Sequence, residues 1–295
     1  MGVLTLGIAL DTPAQSLVTP SPPTQNLFEA DFGSGNINEF TPSGAQSTFV
    51  SGVSFNAFAP LAFNGEGDLF VGANDSIIEI TPGGSQSTFA SLGFDSFALT
   101  FNNTGDLFAV EGNSIVEITP EGVQSTYATG IPGGINYLAF DSAGNLFVTT
   151  EVQPRIYEVA LDGTVGTFVT GEPGTRGAMA FDSEGDLFIA RGNDIYEYMN
   201  SNGTLNSTPV LFSSSLDNAT ELVFDSAGDL FESDNGTGDI NEFINDDGTL
   251  SSTPVVFASG LDEPYGLAFA PVPEPSSLAL LAIGTAALLI RRRKN

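Results

Sequence analysis

The chain of 295 residues is 41% hydrophobic and sets seven basic residues against 36 acidic ones, with neither cysteine nor histidine. These counts exclude disulfides, thiolate nucleophiles, Ser-His-Asp triads and His- or Cys-ligated metals, which leaves Asp and Glu as the main groups for acid or base work. Four of the basic residues lie in the last five positions, so residues 1–275 hold three arginines against all 36 acids; such a body repels phosphate backbones, and nucleic acid is not an expected partner.

In chain order, residues 1–16, "MGVLTLGIALDTPAQS", join an apolar run from Val3 to Leu10 to Ala14-Gln15-Ser16, small residues at the spacing a signal peptidase reads. No basic stretch precedes the run. The segment is therefore either the end of a longer signal peptide or an apolar N-terminal tail, and residues 17–25 follow it as a linker.

Residues 26–271 repeat one pattern six times. Its anchor is Leu-Phe after Asn or Asp, at Phe28, Phe70, Phe108, Phe147, Phe188 and Phe231, with spacings of 42, 38, 39, 41 and 43 residues. This period suits a four-stranded propeller blade. In the second unit the expected strands are 60–63, 68–73, 76–81 and 87–90. Six Leu/Met-x-Phe elements end at Phe63, Phe101, Phe140, Phe181, Phe224 and Phe269. The first unit has none on its N-terminal side, and the last element, 264–269, has no unit after it. Ring closure resolves both: 264–269 becomes the innermost strand of the first blade, giving an all-β, six-bladed propeller without the exposed ends of a linear solenoid.

The distance from each anchor to a glutamate in the third strand is 9 or 11 residues, reaching Glu39, Glu79, Glu117, Glu158, Glu197 and Glu242. A difference of two preserves the face on which every later side chain falls, where a difference of one would reverse it. The six glutamates read as solvated acids on an outer strand.

Between the first and second strands lie "NGEGD", "NNTGD", "DSAGN", "DSEGD" and "DSAGD" at 64–68, 102–106, 141–145, 182–186 and 225–229. Constant length, a constant Gly and a leading Asp or Asn describe a capped hairpin turn better than a metal loop. Weak calcium binding between such exposed turns is the one cation role they leave open, and no cofactor is expected. The opposite rim carries loops of differing length, where recognition usually resides. The ligand-binding candidates there are Asn136, Arg176, Arg191, Glu221, Asp234, Asn235 and Tyr265, and no catalytic residue stands out.

The run "LAFDSAGNLFV" (138–148) followed by "RIYEVALDGTVGTFVTG" (155–171) resembles NHL and SMP-30/gluconolactonase-like propeller repeats. The resemblance implies the propeller fold, and for the lactonases of that group it implies a divalent metal held at the central channel by Glu, Asn and Asp. In the three residues before each Leu/Met-x-Phe element, only Asn136 and Glu221 match that ligand set. Two oxygens are too few for calcium, which takes six to eight.

The tail, 272–295, runs Val272-Pro273-Glu274-Pro275, an apolar stretch from Leu278 to Ile290, then Arg291-Arg292-Arg293-Lys294. A basic cluster directly after an apolar helix fixes that end on the cytoplasmic side and places the body outside. This order resembles the PEP-CTERM sorting signal of Gram-negative bacteria. The resemblance implies an exosortase-type membrane protease as partner, transient anchoring in the inner membrane, and delivery to the cell surface or extracellular matrix. The sequence thus favours an exported, non-enzymatic module that binds extracellular polysaccharide or matrix protein. The alternative is a metal-dependent lactonase or another carboxylate-based hydrolase in the channel.

Overall fold

The computed structural model describes residues 25–55, 58–151, 155–171, 177–214 and 216–272. The expected N-terminal signal segment and C-terminal helix lie outside the described residues, as does Arg176.

Six antiparallel four-stranded sheets form the blades. From inner to outer strand, blade 2 is Leu61–Phe63, Leu69–Ala73, Ser76–Ile80 and Gln86–Ser91. Blade 3 is Leu99–Phe101, Leu107–Glu111, Ser114–Ile118 and Gln124–Ala128. Blade 4 is Ile135–Phe140, Leu146–Thr150, Arg155–Val159 and Val165–Thr170. Blade 5 is Met179–Phe181, Leu187–Arg191, Asp194–Tyr198 and Val210–Ser213. Blade 6 is Ala219–Phe224, Leu230–Asp234, Asp239–Phe243 and Val255–Ser259.

Blade 1 is closed as its sequence requires. Its outer three strands are Leu27–Asp31, Asn36–Phe40 and Gln46–Ser51. Its innermost strand is Pro264–Phe269, paired through Leu27 with Phe269, Phe28 with Ala268 and Glu29 with Leu267. The pairing satisfies backbone groups that an open array would leave at its two ends.

One aromatic arrangement recurs around the ring and explains why the anchor is Phe. In every blade the outer strand carries an extra residue against the third strand, a bulge at Phe49, Phe89, Tyr127, Phe168, Phe212 and Phe257. Each bulged ring meets its own blade's anchor edge to face, as Phe28–Phe49 does at 5.0 Å and Phe70–Phe89 at 4.8 Å. The anchor then meets the inner-strand Phe of the next blade, Phe28–Phe63 at 5.0 Å and Phe70–Phe101 at 5.1 Å. The same two contacts repeat in blades 3 to 5. The series ends with Phe231–Phe257 and Phe231–Phe269, which joins blade 6 back to blade 1. Each such pair contributes about 0.5–1.5 kcal/mol beyond its buried area, so blade-to-blade cohesion is concentrated at the anchor.

The third-strand glutamates fall in register directly opposite the anchors, Phe28 with Glu39 through Phe231 with Glu242. The two-residue differences between loops are thus absorbed without changing faces. Blades 5 and 6 also carry a small hairpin before the outer strand, Asn200–Ser201 with Thr204–Leu205 and Asn245–Asp246 with Thr249–Leu250. Both turn on a pair with positive φ, Asn202-Gly203 and Asp247-Gly248, the chemistry of a type I′ turn. A reading of four strands per unit does not include these hairpins.

Candidate functional site

The conserved-length turns act as punctuation. Asp182 Oδ1 accepts from the backbone N–H of Glu184 at 3.0 Å and Asp186 at 2.8 Å, and Asn64, Asn102, Asp141 and Asp225 do the same in their blades. Gly185 sits at φ 84°, which favours glycine. In blades 5 and 6 both ends of the turn are aspartates, facing Glu197 and Glu242. Burial and then the neighbouring aspartates raise both glutamates, and Glu242 reaches about 7. Among the described residues, no group of three or more Asp or Glu side chains is arranged to hold a metal ion.

The opposite rim is built differently. The inner strands of blades 1, 4 and 6 run six residues, twice the length of the other three, and each contains a register shift. The shifts leave Asn136 and Thr220 as extra residues, both buried. Bulges of this kind redirect side chains at strand ends. Thr220 Oγ1 lies 2.9 Å from both the Pro264 carbonyl and the Ser233 hydroxyl, and Ser233 in turn donates to the Tyr265 carbonyl at 2.6 Å. This polar seam joins blade 6 to the closing strand.

At the centre of this rim stands Phe58, from the connection into blade 2. Its ring packs edge to face on Phe97 at 5.0 Å, Tyr137 at 6.3 Å and Tyr265 at 6.4 Å. Tyr137 belongs to blade 4 and Tyr265 to blade 1, which are diametrically opposed in a ring of six. A side chain that touches both lies on the axis, so Phe58 closes the channel at this end. The Tyr137 hydroxyl adds a cross-strut by donating to the Thr220 carbonyl of blade 6.

Below this layer the channel is a pit of about 540 Å³, walled by the six Leu/Met-x-Phe elements, with Gln25 at its far end. That end lies on the rim of the constant turns. Among the described residues Glu221 is the one acid in the wall, and its sole hydrogen bond there comes from the Leu222 N–H at 3.2 Å. Protein surrounds the carboxyl although its edge faces the lumen, and the resulting loss of hydration raises its pKa to about 8.

The sequence candidates therefore separate. Glu221 and Tyr265 flank the axis, and Asn136 is buried in its bulge. Arg191 is also buried, its guanidinium 5.0 Å from the centroid of the Tyr196 ring and bonded to the Tyr198 hydroxyl. Asp234 is enclosed, accepting from the N–H groups of Asp217 at 2.8 Å and of Gly236 and Thr237 at 3.1 Å. It ties its loop to the preceding blade connection. Asn235 is held by Asn218 through its N–H at 3.2 Å and its side-chain oxygen at 3.3 Å. Val272 is exposed and sits with Pro271 beside the Gly65-Glu66-Gly67 turn, so the chain leaves the propeller on the constant-turn rim. The remaining tail positions lie outside the described residues.

Two further acids lie in the strands and not in the loops. Glu29 and Glu232 are fully buried in the second strands of blades 1 and 6. Each accepts a hydrogen bond at 2.9 Å from a cross-strand asparagine, Asn38 or Asn241, and each leaves Oε1 without a partner. Burial drives both to about 8. The signal lies in the repeat itself: the corresponding cross-strand pairs elsewhere are Val71–Ile78, Ala109–Val116, Val148–Tyr157 and Ile189–Tyr196.

Residues 271–294 match the model of the PEP-CTERM protein-sorting motif. The tail is a sorting signal. A PEP-CTERM motif implies export and exosortase-mediated sorting to the cell surface. For the body, no curated protein gives a match. Solved structures do: one of a nidogen/laminin complex shares 14% identity at a TM-score of 0.71, over 83% of this chain and 98% of that one. Virginiamycin B lyase from Staphylococcus aureus shares 16% at 0.59, over 81% and 86%. A gluconolactonase from Xanthomonas campestris shares 15% at 0.60, over 71% and 79%. At such identities the likeness establishes the six-bladed propeller fold and no activity.

Proposed function

We propose that this PEP-CTERM propeller is a non-enzymatic module of the cell surface or exopolysaccharide matrix, binding polysaccharide or matrix protein through the rim of variable loops. The observation that carries the reading is the exit of the tail. Pro271 and Val272 leave beside the blade 2 turn, so a membrane anchor or exosortase engages the constant-turn rim and the variable rim points away. Phe58 fills the axis of that outward rim, and a filled axis suits an extended polymer laid across the rim better than a narrow funnel does. Asn235, Tyr265 and the loop carrying Arg176 are the contacts proposed for sugar hydroxyls.

The test is retention of the exported protein on matrix polysaccharide, read on a glycan array and by co-sedimentation with isolated exopolysaccharide. Specific retention, weakened by Tyr265→Ala or Asn235→Ala, supports the binder. Calcium-dependent turnover of aldonolactones that is lost in Glu221→Gln would overturn it in favour of the hydrolase.

A further inference from the structure

Blades 5 and 6 differ from the other four along their outer strands. The residue paired with the third-strand glutamate is Ser47, Ser87, Ser125 and Gly166 in blades 1 to 4, but Val210 and Val255 in blades 5 and 6. The next residue is Thr48, Thr88, Thr126 and Thr167 in the first four blades, and Leu211 and Val256 in the last two. Among the described residues these apolar side chains face solvent: Val210, Leu211, Val255 and Val256 are 42, 55, 47 and 59% exposed. Outer strands have a free edge, which proteins usually cover or make polar. At the second position Thr already has the branched shape a strand favours, so strand propensity does not call for Leu211 or Val256.

The same two blades carry the extra hairpins. The blade 6 hairpin, through Asn245, Thr249 and Leu250, walls a groove of about 420 Å³ against the 182–186 turn of blade 5, and Leu211 lines it too. Asp182, Glu184, Asp186 and Glu197 line this groove, and no basic side chain does. Burial is the first cause that raises Asp182 and Glu197, and the neighbouring carboxylates add to it. Exposed apolar groups therefore stand beside crowded acids that a cation would relieve.

Charge decides the occupant. Residues 1–275 carry 36 acids against three arginines, so a second copy of the chain would bring acid onto acid, and an anionic bilayer would be repelled. A polypeptide that presents apolar side chains together with Lys or Arg matches both halves of the surface.

We propose that the outer strands of blades 5 and 6, with the groove between these blades, are a docking surface for a polypeptide segment bearing apolar and basic side chains. The apolar groups rest on Val210, Leu211, Val255 and Val256, and the basic groups pair with Asp182, Asp186 and Glu197. The surface lies at the constant-turn end of the blades and is separate from the variable rim.

The experiment is fluorescence anisotropy of labelled decapeptides against the exported full chain, with alternating Lys-Val, Lys-Ser and Glu-Val sequences. The expected result is Lys-Val binding at least tenfold more tightly than either of the others and weakening as salt is raised. Val210→Ser, Leu211→Thr, Val255→Ser and Val256→Thr together give blades 5 and 6 the residues of blades 1 to 3 and should reduce Lys-Val affinity at least tenfold, with cooperative melting retained. Asp182→Asn with Glu197→Gln should reduce it by a similar factor, and the turn should hold, since Asn64 and Asn102 cap the same turn in blades 2 and 3. Equal binding of Lys-Val and Lys-Ser, no binding of Lys-Val, or affinity unchanged in the four-residue variant would each overturn the proposal. So would self-association of the chain that the four-residue variant abolishes, which assigns the surface to a second copy, or binding to phosphatidylglycerol vesicles in place of the peptide.

Discussion

Blades 2 to 5 and the pair formed by blades 1 and 6 share one backbone and solve the same packing problem with different chemistry. In the first group, the second and third strands meet through apolar or aromatic residues such as Val71–Ile78 and Val148–Tyr157. In the second group, the same positions hold Glu29–Asn38 and Glu232–Asn241, fully buried acids with an amide partner. The acid and the asparagine occur together or not at all within the six repeats. A buried carboxyl tolerates neither charge nor isolation, and one cross-strand hydrogen bond supplies part of what water would have given. The two blades that carry the pair are also those joined by ring closure.

The largest expected effect that tests this comparison is on pH. Glu29 and Glu232 sit near 8 in the folded chain against an ordinary 4.5. Below about 4.5 both states hold the protons and no difference arises. As pH rises toward 8 the unfolded chain releases protons that the folded chain retains, so stability falls across that window by several kcal/mol and levels off above it. Thermal melts from pH 4.5 to 8.5 should show Tm decreasing, and Glu29→Gln/Glu232→Gln should make the decrease shallower, the remaining slope coming from Glu221 and Glu242.

Next in size, transplanting the acid without its partner into blade 4, Val148→Glu, should cost about 4 kcal/mol in urea unfolding at pH 8. Adding Tyr157→Asn should recover about 1.5 kcal/mol of that by supplying the amide donor. The reverse change, Glu232→Val with Asn241→Ile, should stabilise blade 6 by about 2 kcal/mol. Loss of stability in that double variant would mean that the pair has a favourable role the packing does not reveal. The smallest effect belongs to the apolar group: Tyr127→Phe removes the hydroxyl bond to the Ala160 carbonyl at 2.8 Å between blades 3 and 4 and should cost about 1 kcal/mol. Its ring contacts with Phe108 should survive, since Phe fills the equivalent position in the other five blades.

The ring was legible in the sequence because its determinants are periodic. The spacing of Leu-Phe anchors, the displaced Leu-x-Phe element at 267–269 and the parity of the anchor-to-glutamate distances all report on register, and register is local arithmetic. The turns were legible for the same reason, since an Asp or Asn followed three residues later by Gly caps its own backbone wherever it occurs. The site was far less legible. Whether Arg191 reaches solvent depends on Tyr196 and Tyr198 across a hairpin, and whether Asp234 is free depends on Asp217 in another blade connection. Phe58 looked like one more loop phenylalanine, because nothing local says that its ring lies on the axis between blades on opposite sides. The closed and open ends of the pit follow from that one side chain. The hairpins at 200–205 and 245–250 and the Glu–Asn pairs were within reach, through Asn-Gly and Asp-Gly dipeptides and through comparison of each repeat with its neighbours.

The strand that locks blade 1 is Pro264–Phe269, and the sorting motif begins two residues later, at 271. The ring therefore stays unzipped until the chain through Phe269 is available, which brings its closure next to the start of the motif. Whatever engages the motif therefore acts within a few residues of the strand that completes the toroid.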